Sequence, residues 1–497
     1  MKDFLFIVSN NYFNKNENSS LEGDGFYFAG DLDKKYTFYD KNYFVFIYGE
    51  ITNLSYLSQK FDHFYDLNAP KFIANLYINN IQLEEELIGS YLILIFDINR
   101  SNLKLVRDQW GTKTLFYSIN NEFQIFSSDL IRIKTHINSL SININRLIDY
   151  LSHNYTNHEY TFFNEVKRLP PAHVLKSNKE NISIYEYHLS KDLIEFNRKN
   201  LNHEFDFVFE SVVQENIIKS DNIGIMLSGG LDSSAIAVSM KNLGYKNIKT
   251  FSANFSHIKK INNIDERSYQ QNVSSYTGYK HFNEEMNDIS PIKDIKDIIE
   301  LLGEPIMLPN LYIFNHLMKK IKKEKIEIIV DGNDGDNTIS HGFEVFYENL
   351  VKLNIYNFFK EVAFFSKNSK KSFFSNLLFF LKEFLKKIYL PRKIKPKTKL
   401  VLKSYLKKNF QKTFILDSHN KKLKNLWHIY GNETRFRYFS KNNIINISPF
   451  YDPMLAKVIS NGKNREQAID TLKQSLQNTA LYGVKNNGLT SLNIRVQ

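Results

Sequence analysis

Between Ile223 and Gly244 the chain changes from strand period to helix period across a short glycine turn. No other stretch constrains the fold as much. Ile223-Gly-Ile-Met-Leu227 is an apolar strand, Ser228-Gly-Gly-Leu-Asp-Ser-Ser234 follows, and a helical pattern runs from Ala235 to Leu243 until Gly244 stops it. Strand, glycine turn and helix start together aim backbone N–H groups and a helix N-terminus at an anion. Gly229 and Gly230 lack the Cβ atoms that would hold a phosphate away. Ser228, Ser233 and Ser234 add hydroxyl donors, and Asp232 can hold the Mg2+ that accompanies a nucleotide. No Gly-Lys-Ser/Thr ends the loop, so it is not the Walker type. A plain serine-rich turn has the same composition; the flanking strand and helix favour the phosphate-binding reading.

A chain of 497 residues is long enough for two or three domains. Its 42% hydrophobic and 24% charged content is that of a soluble globular protein. No stretch reaches the roughly 18–20 apolar residues of a membrane span. The run at Met1–Asn10 is too short for a signal peptide and reads as a first strand, which predicts a cytoplasmic protein. The chain has no cysteine, which excludes disulfides, thiolate zinc sites and any thiol nucleophile. The net charge of +12 is concentrated: residues 360–412 hold sixteen Lys/Arg against Glu361 and Glu383.

Residues 1–185 are strand-rich, with aromatic and β-branched runs at 43–51, 90–98, 102–107, 115–119 and 123–127. Helical patterns interrupt at 69–80 and 145–152, and the polar stretch 186–204 reads as a linker. From 205 strands and helices alternate: helix 233–243, strand Lys249–Phe255, helix 266–276, helix 312–323, strand Ile326–Val330. That is the pattern of a parallel sheet with crossover helices. Beyond 343 the chain reads as mainly helical, with a basic segment over 343–430. Strand Ile326–Val330 runs into Asp331-Gly-Asn-Asp-Gly-Asp336, and an acidic glycine loop at the carboxyl end of a parallel strand is where such sheets bind ligands. Asp232 and Asp336 would then face each other as magnesium ligands; alone, the second loop is equally an aspartate-rich turn.

Ser228–Ser234 resembles the SGGxDS signature of pyrophosphate-loop ATPases, which cleave ATP between its α and β phosphates. Further pieces, all in one order, make nearly the whole chain similar to the asparagine synthetase (glutamine-hydrolysing) family. They are Gly49-Glu-Ile-Thr-Asn53, Gly89-Ser-Tyr91, Arg107-Asp-Gln-Trp-Gly111, Phe126–Asp129 and Arg168-Leu-Pro-Pro171. Lys249–Phe255, Asp265-Glu266, Glu304-Pro305, Gly332–Gly342 and Ser448-Pro-Phe-Tyr-Asp452 follow. The resemblance implies an α/β protein of two parts. Residues 1–185 would be a glutaminase-like αββα sandwich of the N-terminal-nucleophile hydrolase type. Residues 205–497 would be a synthetase domain with an adenine-nucleotide α-hydrolase-like parallel sheet and a helical extension. It also implies that Ser252 borders the adenine. A late lysine is expected to stabilise charge at the α-phosphorus; Lys485 is the best-placed candidate, a surface lysine being the plain reading, with Arg435 and Arg465 behind it.

The departures from the family are informative. Lys2 stands where the family nucleophile is cysteine, Tyr48-Gly49-Glu50 replaces Asn-Gly-Glu, and Asn68-Ala69 replaces the Ser-Asp that grips glutamine. Nucleophile, oxyanion donor and substrate carboxylate are the parts covalent amide hydrolysis requires. The pattern is similar to β-lactam synthetases and lasso-peptide cyclases, and predicts a degenerate glutaminase domain. Asn333 falls where asparagine synthetases carry Glu, and an amide cannot take up a proton at neutral pH. Asp334 or His341 could substitute.

The predicted function is an ATP- and Mg2+-dependent amide-forming ligase that adenylates a small-molecule or peptide carboxylate and transfers it to an amine or ammonia. The alternative is a non-catalytic nucleotide-binding scaffold or sensor. The phenylalanine doublets of 358–384 predict helices with one buried face and one lysine-rich solvated face. The charge offers a site for an acidic partner at 360–412, such as a peptide, polysaccharide or membrane. Nucleic acid is not expected, because no recognised binding module accompanies it.

Overall fold

The computed structural model describes residues 3–9, 20–23, 25–61, 68–152, 157–178, 181–187, 201–217, 220–255, 266–335, 344–368, 372–389 and 426–451. Phenylalanines placed two apart in the early strands build the first core. One antiparallel sheet has the strand order Lys167–Arg168, Phe116–Ile119, Gln124–Ser127, Leu5–Val8, Phe26–Ala29, Ser20–Gly23. The second runs Ile182–Glu186, His173–Ser177, Asn102–Arg107, Gly89–Asp97, Tyr43–Ile51, Thr37–Tyr39. Alternate residues of each strand point inward, so Phe4, Phe6, Phe26 and Phe28 meet Phe44, Phe46 and Phe96 between the sheets. Phe28 and Phe46 lie 4.8 Å apart, centroid to centroid, in a tilted contact. Helix Ala69–Ile78 covers the outside of the second sheet and Leu130–Lys134 that of the first. This is the αββα sandwich.

A five-stranded parallel sheet forms the second core, in the order Lys280–Glu285, Lys249–Asn254, Ile223–Met226, Ile328–Asp331, Ile445–Ile447. Helices Leu201–Asn216 and Leu231–Asn242 pack on its one face, and Leu311–Lys323 with Leu426–Lys441 on the other. The helix beginning at Leu201 takes in the last residues of the stretch read as linker. Neighbouring residues on a helix diverge by about 100°, so the two rings of a doublet can meet different surroundings. Helices Ile355–Asn368 and Phe373–Tyr389 each bury one face, with Phe358, Val362 and Phe380 at its centre and Phe365, Phe373 and Leu377 packed against them, while Phe359, Phe374 and Phe379 stay exposed, so the solvated face is not purely lysine-rich. Residues 390–425 of the basic segment lie outside the described residues.

Buried ion pairs join the two cores. Arg107 and Arg168 of the sandwich reach Glu433 at 2.5 and 3.3 Å, and Arg168 reaches Glu304 at 2.8 Å. Arg437 also pairs with Glu304, and Lys441 pairs with Asp129 and, at 3.4 Å, Asp3. Arg146 stacks its guanidinium 4.0 Å from the Tyr430 ring centroid. Arg107 further donates to the carbonyls of Lys113 and Gly111, each at 2.7 Å, so its charge is held in place by the sandwich itself. Burial pushes the Glu304 carboxyl up, but Arg168, Arg437 and Arg146 together outweigh it and hold it below its ordinary 4.5. A depressed carboxyl stabilises the fold above that value, and the contribution is lost as pH falls through the folded pKa. Glu304→Gln is therefore expected to lower unfolding free energy by about 3–5 kcal/mol at pH 7. Urea titrations should find that difference shrinking as the pH is taken below 4.5.

Candidate functional site

Strand order reverses between Ile223–Met226 and Ile328–Asp331, whose registers pair Met226 with Asp331. Ligands of open α/β sheets bind in the crevice beyond such a reversal. Leu227–Gly230 and Gly332–Gly335 leave these two strands side by side. A Cβ added to Gly335 would stand 2.2 Å from Asp232 Cγ, and one added to Gly332 would stand 2.5 Å from the Ser233 nitrogen. The Asp232 carboxylate therefore sits directly against the backbone of the second loop. Asp336, the next residue, lies outside the described residues, as do Lys2, His341, Arg465 and Lys485.

The first loop is braced from several directions. Gly229 adopts φ +90, and the Glu266 carbonyl and Gln270 side chain close over it. Gln270 Nε2 donates to Ser228 O at 3.0 Å, and burial raises the neighbouring Glu266 carboxyl. Ser228 and Ser233 hydroxyls lie 3.0 Å apart, and Ser234 Oγ donates to Gly230 O at 2.7 Å. Ser252 Oγ donates to Leu227 O, which ties the neighbouring strand to the loop base. Helix Leu231–Asn242 starts at Gly230 with Asp232 in its first turn. Ser228, Gly229, Gly230, Asp232, Ser233 and Ser234 thus converge on one helix N-terminus.

In the second loop the aspartates divide by role. Asp331 is satisfied by Ser448 Oγ at 2.6 Å, Asn446 Nδ2 at 2.9 Å and the Arg435 guanidinium at 3.4 Å. It locks the loop to strand Ile445–Ile447, and Arg435 is spent on it. Asp334 is different: φ is +72, a left-handed backbone unusual for a residue with a Cβ. Its Oδ2 accepts from Asn432 Nδ2 at 2.7 Å and Asn333 Nδ2 at 2.9 Å, and its Oδ1 lies 2.9 Å from His428 Nε2. His428 and Asn432 come from helix Leu426–Lys441 and were not legible as site residues. A lone histidine 94 positions from its partner leaves no motif; only its one-turn spacing from Asn432 hints at a shared face.

At the sandwich, Tyr48, read from the resemblance as replacing the oxyanion donor, is buried. Its hydroxyl meets Ser440 Oγ at 3.0 Å and Asp3 Oδ1 at 3.1 Å, and burial, then Asp3, raises its pKa. Asn68 caps helix Ala69–Ile78 by accepting from Lys71 N at 3.0 Å. A cavity of about 380 Å3 opens beside Tyr48 between the domains, lined by Tyr36, Thr52, Lys113, Asn443 and Ser448. Burial lowers the Lys113 ammonium. This cavity adjoins the glycine-loop crevice through Ser448 but is not part of it.

Residues 204–439 match the Asparagine synthase family model, and residues 37–188 the Glutamine amidotransferase domain model. Residues 422–494, which include Lys485 and the Ser448–Asp452 segment, match the Biotin carboxylase C-terminal domain. Asparagine synthetase (glutamine-hydrolysing) 1 of Bacillus subtilis is 22% identical over 320 residues, 63% of this chain and 49% of that protein. Putative asparagine synthetase (glutamine-hydrolysing) 2 of Methanocaldococcus jannaschii is 23% identical over 334 residues, 64% of this chain and 61% of that protein. Urea amidolyase of Saccharomyces cerevisiae is 58% identical over 38 residues, 8% of this chain and 2% of that protein. The chain spans about half the length of the two synthetases.

Gly332→Ala tests the contact between the loops. The added methyl meets backbone, which cannot swing away as a side chain can. ATP affinity by calorimetry is expected to fall more than tenfold, and the unfolding midpoint to drop as well, because displacing the backbone costs about 1–3 kcal/mol.

Proposed function

Because this chain belongs to the asparagine synthetase family, we propose that it is a cytoplasmic ATP-dependent carbon–nitrogen ligase that makes an amide from a carboxylate and an amine or ammonia. The observation that carries this reading is the Asp232 carboxylate seated against Gly335 where the strand order reverses. A carboxylate oxygen of the substrate attacks the α-phosphorus and pyrophosphate leaves. The amine nitrogen then attacks the acyl carbon, the C–N bond forms, the C–O bond to AMP breaks, and the amine proton must be accepted nearby.

Ser228, Gly229, Gly230, Ser233 and Ser234 bind the phosphates, and Ser252 lies beside the adenine. Asp232 with Asp336 would hold Mg2+, which screens the phosphate charge; the acidic oxygen donors suit that hard cation. Asp334, supported by His428 and Asn432, takes the amine proton in place of the glutamate that Asn333 replaces. Holding reactants in line and neutralising charge supply most of the catalysis. Lys485 is the proposed cation at the α-phosphorus, although the biotin carboxylase match over 422–494 offers its segment a different ancestry. Wild-type turnover in Lys485→Ala would remove it from the site.

Asp232→Ala should abolish pyrophosphate release with carboxylate and amine substrates; release of ADP instead, or unchanged turnover, defeats the ligase reading. Asp334→Gly relieves the left-handed backbone, so it is expected to fold at least as stably as wild type. Its amide formation should drop by a hundredfold or more, on the scale of a lost general base, while pyrophosphate release continues.

The same reading gives the chain no glutaminase activity of its own, because Lys2, Tyr48 and Ala69 replace the nucleophile, oxyanion donor and substrate carboxylate. Glutamate released from glutamine by the purified chain would contradict it. The amide at Asn333 favours a second reading, a non-catalytic nucleotide-binding scaffold or sensor. ATP binding by calorimetry without turnover on any carboxylate would select it. In either case the basic segment 360–412 serves an anionic partner and not the chemistry.

A further inference from the structure

The helices Ile355–Asn368 and Phe373–Tyr389 expose apolar side chains on a scale unlike the rest of the fold. Leu353 is 79% exposed, Tyr356 76%, Phe374 73% and Leu378 67%, with Phe359 and Leu385 about half exposed. Phe374, Leu378 and Leu385 follow at spacings of four and seven, which confines them to a stripe about 40° wide. The stripe continues onto the other helix: the Phe374 ring meets Phe373 at 5.6 Å, and Phe373 stacks on Phe359 at 6.5 Å. Exposed Lys352, Lys360, Lys367 and Lys382 flank it.

A patch of this kind marks a contact surface, and its charge selects the occupant. An acidic peptide or polysaccharide would neutralise the lysines and leave the phenyl rings in water. An apolar protein groove would bury the rings and desolvate the lysines. A bilayer surface with anionic headgroups accepts both, the rings at the acyl boundary and the ammonium groups among the phosphates. Among the described residues no helix is long and apolar enough to cross a membrane, so the contact is peripheral. We propose that this helix pair docks the protein on an anionic lipid bilayer. The proposal names the anionic partner of the preceding reading and does not depend on adenylation.

The test is sedimentation of the full chain with vesicles of phosphatidylcholine alone and of phosphatidylcholine mixed with phosphatidylglycerol. Binding to the mixed vesicles is expected to be at least tenfold tighter and to weaken with added salt. Phe374→Ser with Leu378→Ser should reduce it tenfold or more, and Lys360→Gln with Lys382→Gln by about fivefold per lysine. ATP titration and the unfolding midpoint check the fold of each variant; should the apolar pair fail to fold, the lysine pair still decides. Equal binding to both vesicle types, or variants that bind like wild type, overturn the proposal. So do polyglutamate binding without vesicle binding, and a wild-type dimer that the apolar pair makes monomeric while vesicles are ignored.

Discussion

Helix Leu426–Lys441 is the constraint on which the remaining arrangement depends. Residues 429–439 of it are all buried although its sequence, Leu-Trp-His-Ile-Tyr-Gly-Asn-Glu-Thr-Arg-Phe-Arg-Tyr-Phe-Ser-Lys, is largely polar. A polar helix can be buried only if each charge meets a fixed counter-charge, and this one does so on two sides. Towards the sandwich it offers Glu433, Arg437, Ser440 and Lys441 to Arg107, Glu304, Tyr48 and Asp129. Towards the crevice it offers His428, Asn432 and Arg435 to Asp334 and Asp331. Its rotation about its own axis is therefore fixed by both domains at once.

The geometry of the second loop follows from that fixed rotation. Asp331 is tied down by Arg435 and Ser448, which leaves the loop pinned at its base. Asp334 is reached by His428 and Asn432, one helical turn apart, and by the neighbouring Asn333 amide, and those contacts hold its left-handed backbone in place. Neighbouring aspartates of one short loop thus take different tasks from what the helix presents to them.

The parts legible in the sequence were local ones. Ser228–Ser234 reads as a phosphate loop because strand, turn and helix start are contiguous. The Phe-rich strands read as a sandwich because their period of two is set within each strand. The order of the parallel strands is not local, and neither is the pairing of Arg107 and Arg168 with Glu433, which spans most of the chain. His428 was invisible because a histidine on a polar helix resembles a solvated one. The helix Leu426–Lys441 has no marked amphipathic stripe, since partners surround it, so the pattern that usually reveals burial was missing. The phenylalanine doublets marked the buried face around Phe358, Val362 and Phe380 but not the exposed second rings, because adjacency signals apolar content whereas burial is decided one ring at a time.

The pairing of Glu304 and Glu433 with arginines of the sandwich makes the second core depend on the first. Without the sandwich Glu433 would lose Arg107 and Arg168, Glu304 would keep only Arg437 of its paired arginines, and the face of helix Leu426–Lys441 that meets the sandwich would be exposed. Arg107 and Arg168 thus serve as counter-ions for the other core, independently of the pocket around Tyr48. The amino-terminal half is thereby part of the framework that fixes helix Leu426–Lys441, and with it His428 and Asn432, beside the second loop.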